Sequence, residues 1–256
     1  MLKIPVALVL LLVSGLGLMS FLSIEKKPVT VFLIGDSTIS IKETRAYPET
    51  GWGMPFVHFF DSTVTVHNYA KNGRSTRTFL EENRWQPVLT NLKAGDYVFI
   101  QFGHNDEVPT KKSYTTEADY KANLVRFISD TRKKKGNPVL ITPAARRKFD
   151  ASGKVEETHA VYSALVRTVA QQQKVPLIDL DKKSQALLQQ YGPEFSKKLF
   201  VHLQPEEHPN YPQGKQDDTH FNELGAREMA QLVLAEIKYL KLELAQRIVQ
   251  PALKKD

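Results

Sequence analysis

Five short runs of apolar and β-branched residues recur along the chain: Val29–Ile34, Val64–Tyr69, Tyr97–Phe102, Val139–Thr142 and Pro176–Leu180. Short apolar runs bounded by turn residues are the pattern of strands, and Val29–Ile34 has the continuous form of a buried one. Between them the spacing changes to that of helices. Glu117–Lys135 carries Tyr120, Leu124, Phe127 and Ile128 on one face, and its cationic end suits the helix dipole before Gly136 and Pro138 stop it. Glu156–Gln173 and Asp181–Tyr191 are predicted as further helices, and a last one runs from an Asn222 cap to about Gln250. Strand and helix in alternation predict an α/β fold: a mainly parallel, five-stranded sheet in a three-layer α/β/α sandwich. Lys42–Pro55 and Pro193–Asp218 are rich in turn residues and are predicted to be irregular. Loops of that length in a compact domain are often binding loops.

Residues 1–23 hold one lysine and then an apolar stretch to Leu22, the form of an export signal. Ile4–Leu22 approaches the roughly 20 residues that span a bilayer, so the segment reads as a signal peptide or an uncleaved N-terminal anchor. Residues 24–256 show no repeat or low-complexity linker and are expected to form one domain. With no cysteine, neither disulfides nor a lipid-modified thiol is available, and stability must come from an ordinary core. The net charge of +7 is compatible with an acidic polymer as partner, or with no more than a solvated surface such as Lys133–Lys135.

Candidate chemistry gathers just past the strands. Gly35-Asp36-Ser37 ends the first strand abruptly, and tight turns at strand carboxyl ends are where open parallel sheets place ligands. A reactive Ser37 needs a base, an orienting carboxylate and oxyanion donors. Asn72-Gly73 follows the second strand, where a glycine turn can aim an N–H at an anion. Gly103-His104-Asn105-Asp106 follows the third, with Asn105 offering a side-chain amide. Asp217-Asp218-Thr219-His220 precedes the last helix, and the Asp-x-x-His spacing lets Asp217 bend back to one imidazole nitrogen while the other faces a serine. Asp36 is expected to pin the serine turn, and His104 to buttress Asn105.

The blocks GDST, Asn72-Gly73, GHND and DDTH, in this order, resemble the SGNH hydrolases, also called GDSL-type esterases. Thr38 stands where leucine gives that family its name. Within the superfamily, GWG at Gly51–Gly53, NGRSTRTF at Asn72–Phe79, TPAARRKF at Thr142–Phe149 and DDTHFNELGA are similar to the rhamnogalacturonan acetylesterases, which act on acetylated pectin. The resemblance implies a flavodoxin-like fold and Ser37 as nucleophile, His220 as general base and Asp217 as its orienting carboxylate. It also implies an oxyanion hole from the Ser37 and Gly73 N–H groups and the Asn105 side chain. No cofactor is implied.

A pectic backbone carries carboxylates that guanidinium groups hold well, so Arg74 and Arg146 are candidate substrate contacts, as are Arg77, Arg84 and Arg147. Trp52 is either a sugar platform or a core residue. His202, Glu206, Glu207 and His208 crowd one loop without a recognisable ligand spacing, and no metal is expected. The absence of GxSxG disfavours an α/β-hydrolase, and no glycine-rich nucleotide loop is present. The expected partner is an acetylated, acidic polysaccharide, with no nucleic acid, a membrane only through an uncleaved N-terminal segment, and a monomeric state. The rival readings are an esterase of acetylxylan, another acetylated glycan, a lipid or a thioester, and a non-catalytic glycan-binding module.

Overall fold

The structure, a computed structural model, describes residues 26–249. The signal or anchor expected over residues 1–23 lies outside that range. Five strands form one sheet: β1 (Val29–Gly35), β2 (Val64–Asn68), β3 (Tyr97–Gln101), β4 (Asn137–Ile141) and β5 (Leu177–Ile178). Their order is β2-β1-β3-β4-β5, with every pair parallel. The parallel five-stranded sheet predicted from the alternation is therefore present, in a doubly wound order whose direction reverses between β1 and β3, where such sheets open a crevice at their carboxyl ends.

The pleat of β1 explains why its sequence is apolar throughout. Val31 and Leu33 enter the core on one face, and Phe32 and Ile34 enter the core on the other. The second face is covered by α2 (Thr76–Glu81), α3 (Trp85–Asn91), α4 (Glu117–Lys133) and α5 (Ala160–Gln173) through Phe79, Trp85, Phe127 and Val166. The first is covered by α1 (Gly53–Phe56), α6 (Leu180–Phe195) and α7 (Glu223–Tyr239) through Phe56, Leu188, Met229 and Val233. Thr116 caps α4 by accepting from the Asp119 N–H, and Asn222 caps α7 by accepting from the Gly225 N–H. Gly225 is required by close approach, since a Cβ there would lie 1.9 Å from the Leu199 carbonyl oxygen.

Several boundaries differ from the sequence expectation. α5 begins at Ala160 rather than near Glu156 because Phe149 and Val155 form an antiparallel bridge that keeps the preceding residues extended. α6 runs on to Phe195 across a break at Gly192, whose φ of 70° is left-handed. α7 stops at Tyr239 instead of continuing toward Gln250: Lys241 turns into the left-handed region, and Leu244 folds back into the core. The segment Pro193–Asp218 is not irregular throughout. It contains β6 (Phe200–Leu203) and the start of β7 (Lys215–Phe221), which pair antiparallel beside the crevice.

Candidate active site

Ser37 sits in the turn that ends β1, and a chain of buried hydrogen bonds fixes that turn. The Asp36 carboxylate accepts from the Thr38 N–H at 3.0 Å and from the Thr38 hydroxyl at 2.8 Å. Thr38 Oγ1 in turn accepts from Gln101 Nε2 at 2.6 Å, and Gln101 Oε1 accepts from the Trp52 indole at 2.7 Å. All four side chains are fully buried. Trp52 is thus not a sugar platform, because none of its surface is available to a ligand. The polar Thr38 in place of leucine gains a purpose, for its hydroxyl is the link between Asp36 and Gln101. Burial pushes the Asp36 carboxyl up, and the two Thr38 hydrogen bonds oppose that rise.

Asp217 and His220 lie on β7, where the ladder with β6 is interrupted. Phe200 faces Phe221 and Val201 faces Asp217, so Asp218, Thr219 and His220 bulge out without partners across the ladder. Asp217 stabilises this bulge as a local turn, accepting the N–H groups of Thr219 at 2.8 Å and His220 at 2.9 Å on one carboxylate oxygen. Its other oxygen lies 2.9 Å from His220 Nδ1, and His220 Nε2 lies 2.9 Å from Ser37 Oγ. Partial burial alone would raise the Asp217 carboxyl, but the hydrogen bonds and charge of His220 outweigh it and hold the group well below its ordinary value. An ionised Asp217 fixes the proton on Nδ1 and leaves Nε2 to accept from the serine hydroxyl. Asp218 faces elsewhere: it pairs with Arg147 and with His202, each at 2.8 Å.

Ser37, Gly73, Asn105 and His220 line one cleft of about 560 Å³. Gly73 has a φ of 77°, open space where a side chain would be, and a place in the turn between β2 and α2. Asn105 is nearly buried and gives an amide hydrogen to the Arg74 carbonyl at 3.2 Å. Asp106 anchors the same turn, accepting from the Thr76 N–H at 2.8 Å and the Thr76 hydroxyl at 2.6 Å. His104 is buried with its ring edge-on to His159 at 4.3 Å, and burial, with nearby His159 and Arg146, pushes it well below its ordinary value.

Of the arginines, Arg146 reaches this cleft; its Nη2 bonds Glu107 at 3.0 Å and the His104 carbonyl at 3.3 Å. Arg74 lines an adjoining hollow with Asn105 and Lys111, and its Nε is bonded to Glu82. Arg77 pairs with Glu81, Arg84 with Glu82 and Arg147 with Asp218. Three further residues at the site carried no sequence signal. Lys111 and Glu49 line the cleft, and Lys42 lies buried beneath it with its ammonium 2.6 Å from Glu49. Among the described residues, no group of three or more histidine, cysteine, aspartate or glutamate side chains is arranged to hold a metal ion.

A serine, an imidazole and a carboxylate in series, with amide donors nearby, form the arrangement that acyl transfer needs. The sequence matches the model of the GDSL-like lipase/acylhydrolase family over residues 33–228. The chain belongs to that family. Membership makes it a carboxylic ester hydrolase, and the blocks from β1 to α7 that carry the cleft all fall inside the match. The rhamnogalacturonan acetylesterase RhgT of Bacillus subtilis is 45% identical over 225 residues, which is 88% of this chain and 96% of that protein. A second protein of that organism, the probable rhamnogalacturonan acetylesterase YesY, is 35% identical over 86% of this chain and 97% of its own length. Among solved structures, the Bacillus subtilis protein YxiM superposes with a TM-score of 0.73 at 28% identity, covering 85% of this chain and 58% of that one. The family's fold and the α/β sheet described above agree.

Proposed function

We propose that this GDSL-family hydrolase removes acetyl groups from an acidic plant polysaccharide, pectic rhamnogalacturonan, through an acyl-enzyme on Ser37. The observation that carries the chemistry is the relay of two 2.9 Å contacts from Ser37 through His220 to Asp217. The substrate class rests on the extensive identity to the Bacillus rhamnogalacturonan acetylesterase.

In this mechanism His220 Nε2 takes the Ser37 proton as Oγ attacks the acetyl carbonyl carbon. The Ser37 and Gly73 backbone N–H groups and the Asn105 amide hold the charge that develops on the carbonyl oxygen. Collapse of the tetrahedral intermediate breaks the bond to the sugar oxygen, which takes its proton from His220. A water deprotonated by the same imidazole then hydrolyses the acetyl-serine and releases acetate. Arg146 and Lys111, both in the cleft, supply positive charge for a uronate carboxylate beside the acetylated sugar. The protein acts outside the cytoplasm, a reading supported by the apolar segment at residues 1–23.

The test is acetate release from acetylated rhamnogalacturonan, acetylxylan and acetylated homogalacturonan by the protein and its Ser37→Ala and Arg146→Gln variants. Rhamnogalacturonan is expected to be the best substrate, with Ser37→Ala slower by at least about a thousandfold. Arg146→Gln should raise KM for the acidic polymer about tenfold and leave p-nitrophenyl acetate hydrolysis unchanged. Equal release by the Ser37→Ala variant would end the serine mechanism, and faster release from acetylxylan would reassign the substrate.

A further inference from the structure

Beneath Ser37 lies a buried ion pair that the acyl-transfer steps above do not use. Lys42 follows the serine turn, and its side chain has no exposed surface. Its ammonium meets three acceptors: the Ser37 backbone carbonyl, Asn72 Oδ1 at 3.0 Å and Glu49 Oε1 at 2.6 Å. Two of these contacts are hydrogen bonds and the third is an ion pair, so the buried cation is both anchored and neutralised. Burial pushes it down from its ordinary value, and the Glu49 charge opposes that fall. The three acceptors come from the three pieces that must stay in register for catalysis. One is the nucleophile's own peptide unit. Another adjoins Gly73 in the turn after β2. The third, Glu49, belongs to the long segment between β1 and α1.

Glu49 then faces the acid–base strand. Its Oε1 is 3.9 Å from His220 Nε2, and its Oε2 is 3.8 Å from Lys215 Nζ, which in turn lies 3.3 Å from Asp217 Oδ2. Charges therefore alternate from Lys42 through Glu49 and Lys215 to Asp217, joining the serine turn to the imidazole from below. The groups around His220 are Asp217 on its own strand, Ser37 and Glu49 from the β1 side, and the buried His104 after β3, with Lys111 and Arg146 farther along the cleft. Among these, Glu49 is the carboxylate facing Nε2, the nitrogen that becomes protonated during turnover.

We propose that Lys42 and Glu49 are a positioning pair: Lys42 locks the Ser37 turn to the Asn72-Gly73 turn, and Glu49 stabilises the imidazolium that His220 becomes. The inference rests on the serine mechanism proposed above. An opposite charge near an imidazole favours its protonated form, so Glu49 favours the cation that His220 becomes as it takes the Ser37 proton. The partner Lys42 limits that effect by neutralising Glu49 from behind.

The experiment measures kcat, KM and the pH profile of kcat/KM on p-nitrophenyl acetate for the protein, Glu49→Gln, Lys42→Met/Glu49→Gln and Ser37→Ala, with circular dichroism and melting curves as a check on folding. Glu49→Gln should lower kcat about tenfold with KM within about twofold. Its acidic limb should move to lower pH, because the carboxylate is gone while the Lys42 charge remains. The double variant removes both charges from a buried place, a replacement that folded proteins tolerate well. Its acidic limb should return toward that of the parent, while kcat stays low because Ser37 and Asn72 have lost the Lys42 bridge and keep only the Ser40 hydroxyl between them. A Glu49→Gln limb that is unmoved or shifted upward overturns the proposal. Should Glu49→Gln fail to fold, an unchanged kcat in the folded double variant overturns it as well. Activity in Ser37→Ala would instead remove the underlying serine mechanism, whatever Glu49 does.

Discussion

Ser37 and His220 approach to 2.9 Å, yet the turn that carries one and the bulge that carries the other are held by different means. The serine turn is built into the core. Asp36, Thr38, Gln101 and Trp52 are all fully buried and bond to one another in sequence. The histidine projects from a polar hairpin outside the sheet, with its side chain about a quarter exposed, and it owes its orientation to one aspartate three residues away. The turn is over-determined by long-range contacts, while the bulge is set by a local hydrogen-bonding motif. Losses on the histidine side should therefore appear in rate and spare the fold. Losses on the serine side should appear in stability first.

The largest effect is expected from Asp217→Asn. It removes the charge that selects the Nδ1 tautomer, and kcat should fall by about 10⁴. The melting temperature should change little, because the asparagine oxygen still accepts the Thr219 and His220 N–H groups. A variant that melts early would show that the bulge is part of the fold's support and would erase the contrast. On the other side, Thr38→Val keeps shape and removes the hydroxyl between Asp36 and Gln101. Leaving those buried groups short of a partner should cost about 1–3 kcal/mol of unfolding free energy, with kcat falling less than tenfold. A loss of activity without a loss of stability would place the Thr38 hydroxyl in the chemistry.

The smallest effect concerns an electrostatic cost found on the buried side. Burial raises the Asp106 carboxyl to about 7, although Thr76 donates two hydrogen bonds to it. The folded protein then binds that proton more tightly than the unfolded chain, whose carboxyl titrates near 4. Stability should accordingly decline as pH rises from about 4 to about 7, and the cost of the buried charge is felt in full above that window. Asp106→Asn keeps the acceptor for Thr76 and deletes the charge. Its melting temperature should rise by a few degrees above pH 7 and show no gain near pH 4: roughly three pH units are worth about 4 kcal/mol, and the amide NH2 that replaces the unpartnered Asp106 Oδ2 takes back much of that. A gain independent of pH would point to packing instead of ionisation.

The same contrast explains how much of the molecule could be read in the sequence. A strand buried on both faces must be almost wholly apolar, so β1, β3 and β4 announced themselves, while the partly buried edge strand β2 was marked only by its β-branched residues, and the serine turn by the sudden stop at Gly35-Asp36-Ser37. β7 reads Lys-Gln-Asp-Asp-Thr-His before Phe221, with neither an apolar run nor alternation, because pairing with β6 and not burial makes it a strand. The pairing of Asp217 with His220 was still legible, since it depends on spacing within four residues. Long-range partners were not. Nothing local distinguishes Lys42 and Glu49 from other charged residues in a turn-rich segment, and only the fold brings them beneath Ser37. Trp52 was ambiguous for a related reason. An indole donor needs a partner wherever it sits, and the partner, Gln101, lies on a strand 49 positions away.

That indole offers a practical handle. The protein has two tryptophans, Trp52 and Trp85, and both are buried. With Trp85→Phe, Trp52 becomes a single fluorophore separated from the Ser37 turn by Gln101 and Thr38, so its emission reports optically on that turn. Acetylation and deacetylation of the serine could then be followed in a stopped-flow instrument without labelling either the enzyme or its polysaccharide.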